Sequence, residues 1–435
     1  MVILAAVSIN AAYNSGIINY AVNGTQEYAE GASAENTALA SAEGIMDSVL
    51  ARLENLQGGA GGRLLDSLEA SDTTTATQPY LPGTSFKKVA GTSLSTGLVI
   101  EDTSTDGNGN QFVWIEVPKT IYSNNTYTAA NNNTAVTSAA DYTGIEKILH
   151  AYASDYRNSN FSDTYDSNMG TIGNIEDGDD YTALYHTMLS SIYTHGGFWI
   201  GRYETGISQE ENPRTEAGTT TQTAVITKDA YPYNYVTLSQ AQTLASGVNS
   251  GNCTSSLMFG IQWDLVLRYL EAKGTDQQYL IYTEDANENP GPGSTSWGNY
   301  GDAPFAIIST GAKYNTLDEN RELTSWKLPT VDTDDYVESG TKLANNDDWE
   351  TTAGVVLLTT GANETRNSKM NIIDLAGNVA EWTLEYSGDS YSPCTVRGGD
   401  CGSYGWNYPA GDRNYCGAAI SDSSYGNVGF RISLY

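Results

Sequence analysis

Asp374-Leu375-Ala376-Gly377-Asn378-Val379-Ala380-Glu381-Trp382-Thr383, followed by Val396-Arg397-Gly398-Gly399 and Asn427-Val428-Gly429-Phe430-Arg431, is the part of the chain on which the fold turns. Gly377 and Asn378 are neighbours that both tolerate positive φ, so they predict a tight turn. Trp382 predicts a core anchor whose one N–H needs an acceptor. Arg397 and Arg431 each offer a forked donor set suited to a carboxylate or to loop carbonyls.

Working upstream, Leu98 to Glu101 and Phe112 to Ile115 are apolar, β-prone runs flanking Asp102 to Asn110, which is dense in Asp, Gly and Asn; this predicts a hairpin. The loop begins like a calcium loop, but Val113 stands at the twelfth position, where an EF-hand needs a bidentate Glu. Phe198 to Glu204 reads as a strand. Ile261 to Lys273 reads as a helix with Trp263, Val266, Leu267 and Leu270 on one face, closed by Gly274. Residues 121–194 are rich in Asn, Thr, Ser, Asp and Tyr, with helical patches such as Ile145 to Tyr152. Their lack of sustained apolar period predicts an insertion on the domain surface. Residues 58–79, including Ser71 to Gln78, read as linker, which places a domain boundary near residue 80.

The 435 residues carry a net charge of −31, a field that repels phosphate backbones and so excludes nucleic acid as a partner. Eight Trp and 30 Tyr leave ample material for a core, unlike a disordered acidic tail. The composition points to an extracellular or cell-surface protein. Four cysteines without a CxxC pair do not make a zinc site or a disulfide scaffold. His150, His186 and His195 lack ligand spacing and read as structural or surface residues.

The three C-terminal motifs, in this order, resemble the formylglycine-generating enzyme domain. Phe112 to Ile115 and Phe198 to Glu204 match its earlier strands, so the resemblance spans residues 80–435. It implies an α+β, C-type-lectin-like fold with short mixed strands, few helices and long loops. That fold hosts both oxidases and binding modules, so fold alone does not decide activity. The resemblance implies a structural calcium ion held by Asn378 and Glu381, with no other cofactor required. Oxidases of the family bind copper through two cysteines about five residues apart, in keeping with thiolates selecting Cu(I). Cys416 stands where the second would be, but Gly411 stands at the other position. Whether Cys401 approaches Cys416, as a disulfide or as two thiols, is left open by the sequence. Related iron enzymes need a His-rich motif, and no histidine follows His195.

Residues 400–427 draw almost wholly on Asp, Cys, Gly, Ser, Tyr, Asn, Ala, Arg and Ile, without Lys, Glu, Gln, Met or Leu. Nearly every type is reachable from an Asn codon by replacing adenines. The bias resembles the variable region of proteins diversified by diversity-generating retroelements, whose target domains are C-type-lectin-like. Within segment 396–431 the resemblance implies a ligand-facing set: Asp400, Ser403, Tyr404, Trp406, Asn407, Asp412, Asn414, Tyr415, Ser423, Ser424, Tyr425 and Asn427. Tyr supplies rigid amphipathic area, and Ser, Gly and Asn supply adaptable hydrogen bonds, as in antibody paratopes.

At the other end, Met1 to Ile9 is nearly all apolar but is about half the roughly 20 residues that span a bilayer. Met46, Val49, Leu50, Leu53 and Leu56 form one stripe of an amphipathic helix, stopped at Gly58-Gly59. Residues 1–57 resemble a truncated type IV pilin N-terminal helix, which implies contact with pilus subunits. The expected function is a surface-displayed, adhesin-like protein, not an enzyme, that binds a protein or carbohydrate on a cell or phage surface. A metal-dependent oxidase and a structural minor pilin are the alternatives.

Overall fold

The computed structural model describes residues 64–105, 109–130, 135–303, 307–316, 323–328, 355–417 and 426–435. The chain divides into Met1–Arg63 and Leu64–Tyr435, and the described residues belong to the second unit. The expected pilin-like helix, and Ser423, Ser424 and Tyr425 of the expected ligand-facing set, lie outside the described residues.

In chain order, β1 (Leu64–Leu65), β2 (Phe86–Val89), β3 (Val99–Asp102) and β4 (Gln111–Glu116) precede helices α1 (Asn125–Ala130), α2 (Tyr142–Tyr152) and α3 (Gly178–His195). Strand β5 (Gly197–Gly201) follows, then β6 (Gly206–Ile207), β7 (Ala224–Val225) and β8 (Tyr231–Pro232). Helix α4 (Leu238–Ser246), β9 (Ser255–Leu257) and α5 (Gly260–Ala272) complete the middle. The C-terminal part holds β10 (Tyr314–Thr316), β11 (Val356–Leu358), β12 (Ser368–Lys369), β13 (Ile372–Ile373), β14 (Ala380–Tyr386), β15 (Cys394–Arg397), β16 (Arg413–Cys416), β17 (Val428–Phe430) and β18 (Ile432–Leu434). The architecture is α+β with short, mostly antiparallel strands.

One sheet has seven strands in the order β1-β2-β3-β4-β5-β18-β9. The last strand of the chain is thus an inner strand, with Ser433 opposite both Ile200 and Ser256. The predicted hairpin forms with Val99 opposite Val113 and Ile100 opposite Phe112. A second sheet runs β16-β15-β14-β17 and presents the C-terminal motifs side by side. Its β14 pairs antiparallel with β15 and parallel with β17.

Two boundary expectations need correction. Residues 64–79 are not a linker. Leu64 and Leu65 pair with Val89 and Lys88, Lys88 Nζ reaches the buried Asp72 at 2.7 Å, and the buried Thr77 hydroxyl accepts from Trp114 Nε1 and donates to the Gly196 carbonyl. Short polar side chains fix this segment by hydrogen bonds, which leave no apolar period to read. Nor are residues 121–194 a surface insertion. Ile145, Ile148 and Leu149 of α2, and Tyr181, Met188, Leu189 and Ile192 of α3, are buried in the main core. Asp177 caps α3 through the amides of Asp179 and Asp180, and Gly196 ends it in the left-handed conformation. Tyrosines fill core positions there, and this hides the apolar period from a reading based on aliphatic residues.

The turn at Gly377-Asn378 is as expected: φ is 74° and 63°, and a Cβ on Gly377 would lie 2.2 Å from the Asn299 carbonyl oxygen. Asn378 is fully buried. Its amide donates to Glu204 (2.7 Å) and to the Leu358 carbonyl (3.2 Å), and its oxygen accepts from Asn299 and from the Leu358 N–H. Trp382 is buried with Nε1 on the Val236 carbonyl at 2.9 Å. Arg431 donates to both oxygens of Glu381 and to the carbonyls of Gly201 and Ile373.

Three buried carboxyls, Glu204, Asp374 and Glu381, therefore lie in the field of one guanidinium, which is bonded to Glu381 and acts on the other two through space. Burial raises all three, Asp374 to about 6. A carboxyl held above its unfolded value binds its proton more tightly when folded, so its contribution is full below about pH 4 and lost as pH rises through 6. Acid also relieves repulsion among the net −31 charges. The melting temperature is expected to be higher at pH 5.5 than at pH 7.5. Asp374→Asn, which keeps the acceptor for Gly361 N–H, should shrink that difference. Scanning calorimetry across this range checks both, and a melting temperature that falls towards pH 5.5 contradicts the triad's role.

Candidate ligand-binding site

Beneath the biased segment lies a second, larger set of buried charges. Asp264 (α5) accepts from Arg397 Nη2 (β15) at 3.0 Å, Arg413 Nη2 (β16) at 2.5 Å and Arg157 Nη1 at 3.0 Å. Glu385 (β14) accepts from Arg397 at 3.1 Å and from Arg413 at 3.0 Å, and Asp163 accepts from Arg157 at 3.2 Å. Three guanidinium groups meet three carboxylates, and none of the carboxylates is exposed to solvent. Burial still raises Asp163 and Glu385 above the usual carboxylate range, with their arginines pulling the other way.

Arg397 of this network and several groups around it hold the backbone of residues 398–412. Arg397 Nε holds the Asp412 carbonyl at 2.8 Å, and Trp263 Nε1 holds that of Ala410 at 2.8 Å. Further ties run from Cys401 N–H to the Asn378 carbonyl, from Gly405 N–H to Asp302, and from Gly411 N–H to the Leu280 carbonyl. Gly399 has φ 69°, and a Cβ there would come within 2.4 Å of the Tyr408 carbonyl oxygen. The loop is long and irregular, but its main chain is held at many points.

Where this loop covers the four-stranded sheet it leaves a cavity of about 240 Å³. The sequence-predicted Asp400, Ser403, Asp412, Asn414, Tyr415 and Asn427 all line it. Ala380, Val396 and Val428 supply apolar wall. Tyr408 and Cys416 line it too and were missed, although both fall inside the biased segment. Asp400 accepts from Gly402 N–H (2.7 Å) and Ser403 Oγ (3.1 Å), which shapes the rim. Burial pushes the Asp412 carboxyl up to about 7. Tyr415 is 49% exposed and stacks on Phe161.

Tyr404, Trp406 and Asn407 do not line the cavity. Tyr404 stacks with Trp406 at 6.3 Å, and Trp406 lies 6.3 Å from the exposed Tyr282, so the three rings form a row.

The calcium expectation does not fit. Both Glu381 oxygens are held by Arg431, which already supplies a positive charge, and all four hydrogen-bonding positions of the Asn378 carboxamide are taken by protein groups. Among the described residues no group of three or more His, Cys, Asp or Glu stands where it could hold a metal ion.

A second cavity, about 310 Å³, lies between α2 and α3 and was not anticipated. Within it Tyr185 donates to Glu146, Tyr181 to the Leu384 carbonyl, and His186 stacks on Tyr142. No family model, curated protein or solved structure matches the chain.

The framework and the face are separable by mutation. Glu385→Gln leaves Arg397 and Arg413 short of a buried counter-charge and should cost about 3–5 kcal/mol. Asn414→Ala, on an exposed position, should change stability by less than about 0.5 kcal/mol. Urea denaturation measures both, and equal costs would contradict the division.

Proposed function

We propose that the chain is a surface-displayed binding protein whose C-terminal segment, residues 396–431, recognises a protein or carbohydrate on a cell or phage surface. The domain is read as C-type-lectin-like, and the segment as one diversified by a retroelement. The observation that carries this reading is convergence. Six of the residues that the resemblance assigned to the ligand-facing set, spread from Asp400 to Asn427, come together around one cavity. A chance bias in a surface loop gives no reason for them to share a wall.

The chemistry suits a small polar group or an exposed side chain of a larger partner. Ser403, Asn414, Asn427 and Tyr408 offer donors and acceptors, Ala380, Val396 and Val428 offer apolar contact, and Tyr415 extends over the rim. The aromatic row of Tyr282, Trp406 and Tyr404 is the type of platform on which a sugar ring or a protein side chain packs. Of the four charged residues from 400 to 427, three are Asp, and the fourth, Arg413, is turned into the buried network. The face therefore disfavours acidic partners and favours neutral or basic ones.

The test is a screen of the labelled full chain against a glycan array and a panel of cell surfaces, repeated with the double variant Asn414→Ala/Tyr415→Ala. Loss of at least tenfold in binding, with the melting temperature moved by no more than about 2 °C, is the expected outcome. Undiminished binding by the double variant would remove the cavity as the recognition site.

A further inference from the structure

Strands β15 and β16 carry one cysteine each, and their register places Cys394 directly opposite Cys416. Directly opposed residues of an antiparallel pair point to the same face of the sheet, with Cα atoms about 4.5–5.5 Å apart. That separation lies within the roughly 4.4–6.8 Å that a disulfide spans. Both residues are thiols in the structure. The sequence left a pairing of Cys416 with Cys401 open, but Cys401 packs with Leu357 and Val379 in a separate apolar cluster. The remaining cysteine, Cys253, sits against Tyr80.

We propose that Cys394 and Cys416 are a dithiol site at the wall of the ligand cavity, closed to a cross-strand disulfide by exchange with a small-molecule disulfide. Cys416 is half-buried and lines the cavity, so a small reagent reaches it first, while Cys394 is buried behind it. The Cys416 thiolate attacks one sulfur of the reagent and expels one thiolate, leaving a mixed disulfide. The Cys394 thiolate then attacks the Cys416 sulfur and expels the second thiolate. Two protein thiols are oxidised, the reagent is reduced to two thiols, and these carry away the two protons. Burial, with a smaller contribution from the neighbouring Cys394, pushes the Cys416 thiol up to about 12. The exchange is therefore slow at neutral pH and accelerates about tenfold per pH unit below that value.

The position gives the bond a consequence. Strand β16 is the edge of its sheet and bears Asn414 and Tyr415, which line the cavity. A link from Cys416 to the inner strand β15 pins this edge where those residues meet a ligand. This last step rests on the binding function proposed above, whereas bond formation does not.

The experiment incubates the full chain with oxidised glutathione at pH 7.5 and pH 8.5, quenches with acid, and maps non-reduced peptides by mass spectrometry. A peptide pair joined through Cys394 and Cys416, lighter by two hydrogens and formed about tenfold faster at pH 8.5, is expected. Cys253 and Cys401 should stay open to alkylation once the protein is unfolded. Cys394→Ser should stop at one glutathione on Cys416, and Cys416→Ser should take up none, each checked for native near-ultraviolet dichroism. A stable glutathione adduct on wild-type Cys416, or a link from Cys416 to Cys401, would overturn the proposal. The mapping needs no ligand, so its failure leaves the binding reading to its own test.

Discussion

Burying Arg157, Arg397 and Arg413 with Asp163, Asp264 and Glu385 is the constraint around which the C-terminal half is arranged. Taking six charged groups out of water costs several kcal/mol per ion, and only close, hydrogen-bonded pairing offsets it. The six come from α5, β14, β15, β16 and the segment between α2 and α3, so no pair can shift without exposing another to an unpaired state. Ion pairs of this kind add little net stability over apolar packing, but they penalise any other register steeply. The Arg431–Glu381 pair does the same for β14 against β5, through the Gly201 carbonyl.

From that rigidity follows the separation between a loop's main chain and its side chains. Residues 398–412 have little regular structure, yet their carbonyls and amides end on Arg397, Trp263, Asn378, Asp302 and Leu280. A backbone held from behind can present different side chains at the front without refolding. This is the physical requirement for a surface whose residues are free to change, and it does not depend on which ligand is bound. The same arrangement explains why Arg413, the one cation of the biased segment, faces inward while its neighbours Asn414 and Tyr415 face out.

Much of this was legible in the sequence because it rests on local chemistry. Gly377-Asn378 announced a turn, Trp382 a core anchor with an N–H to satisfy, and Arg397 and Arg431 forked donors in search of oxygens. The partners were not legible, since Asp264, Glu385 and Asp163 are ordinary acidic residues until the fold brings them together over long sequence separations. The same limit produced the errors. Asp72 and Thr77 looked like linker because their roles are hydrogen bonds, Tyr181 and Tyr185 looked like surface because they are tyrosines, and Glu381 looked like a calcium ligand because the arginine that occupies it lies fifty residues away. The cavity itself required the register of β14, β15, β16 and β17, but its lining residues were visible as a compositional bias.

The central claim is that a fixed framework carries an exchangeable face within residues 396–431. A saturation-substitution scan of that segment, read by protease resistance of the displayed chain, tests it most directly. The account predicts wide tolerance at Ser403, Asn407, Asn414 and Tyr415, and near-complete intolerance at Arg397, Gly399, Arg413 and Arg431. Uniform intolerance across the segment, or tolerance at the arginines, would contradict it.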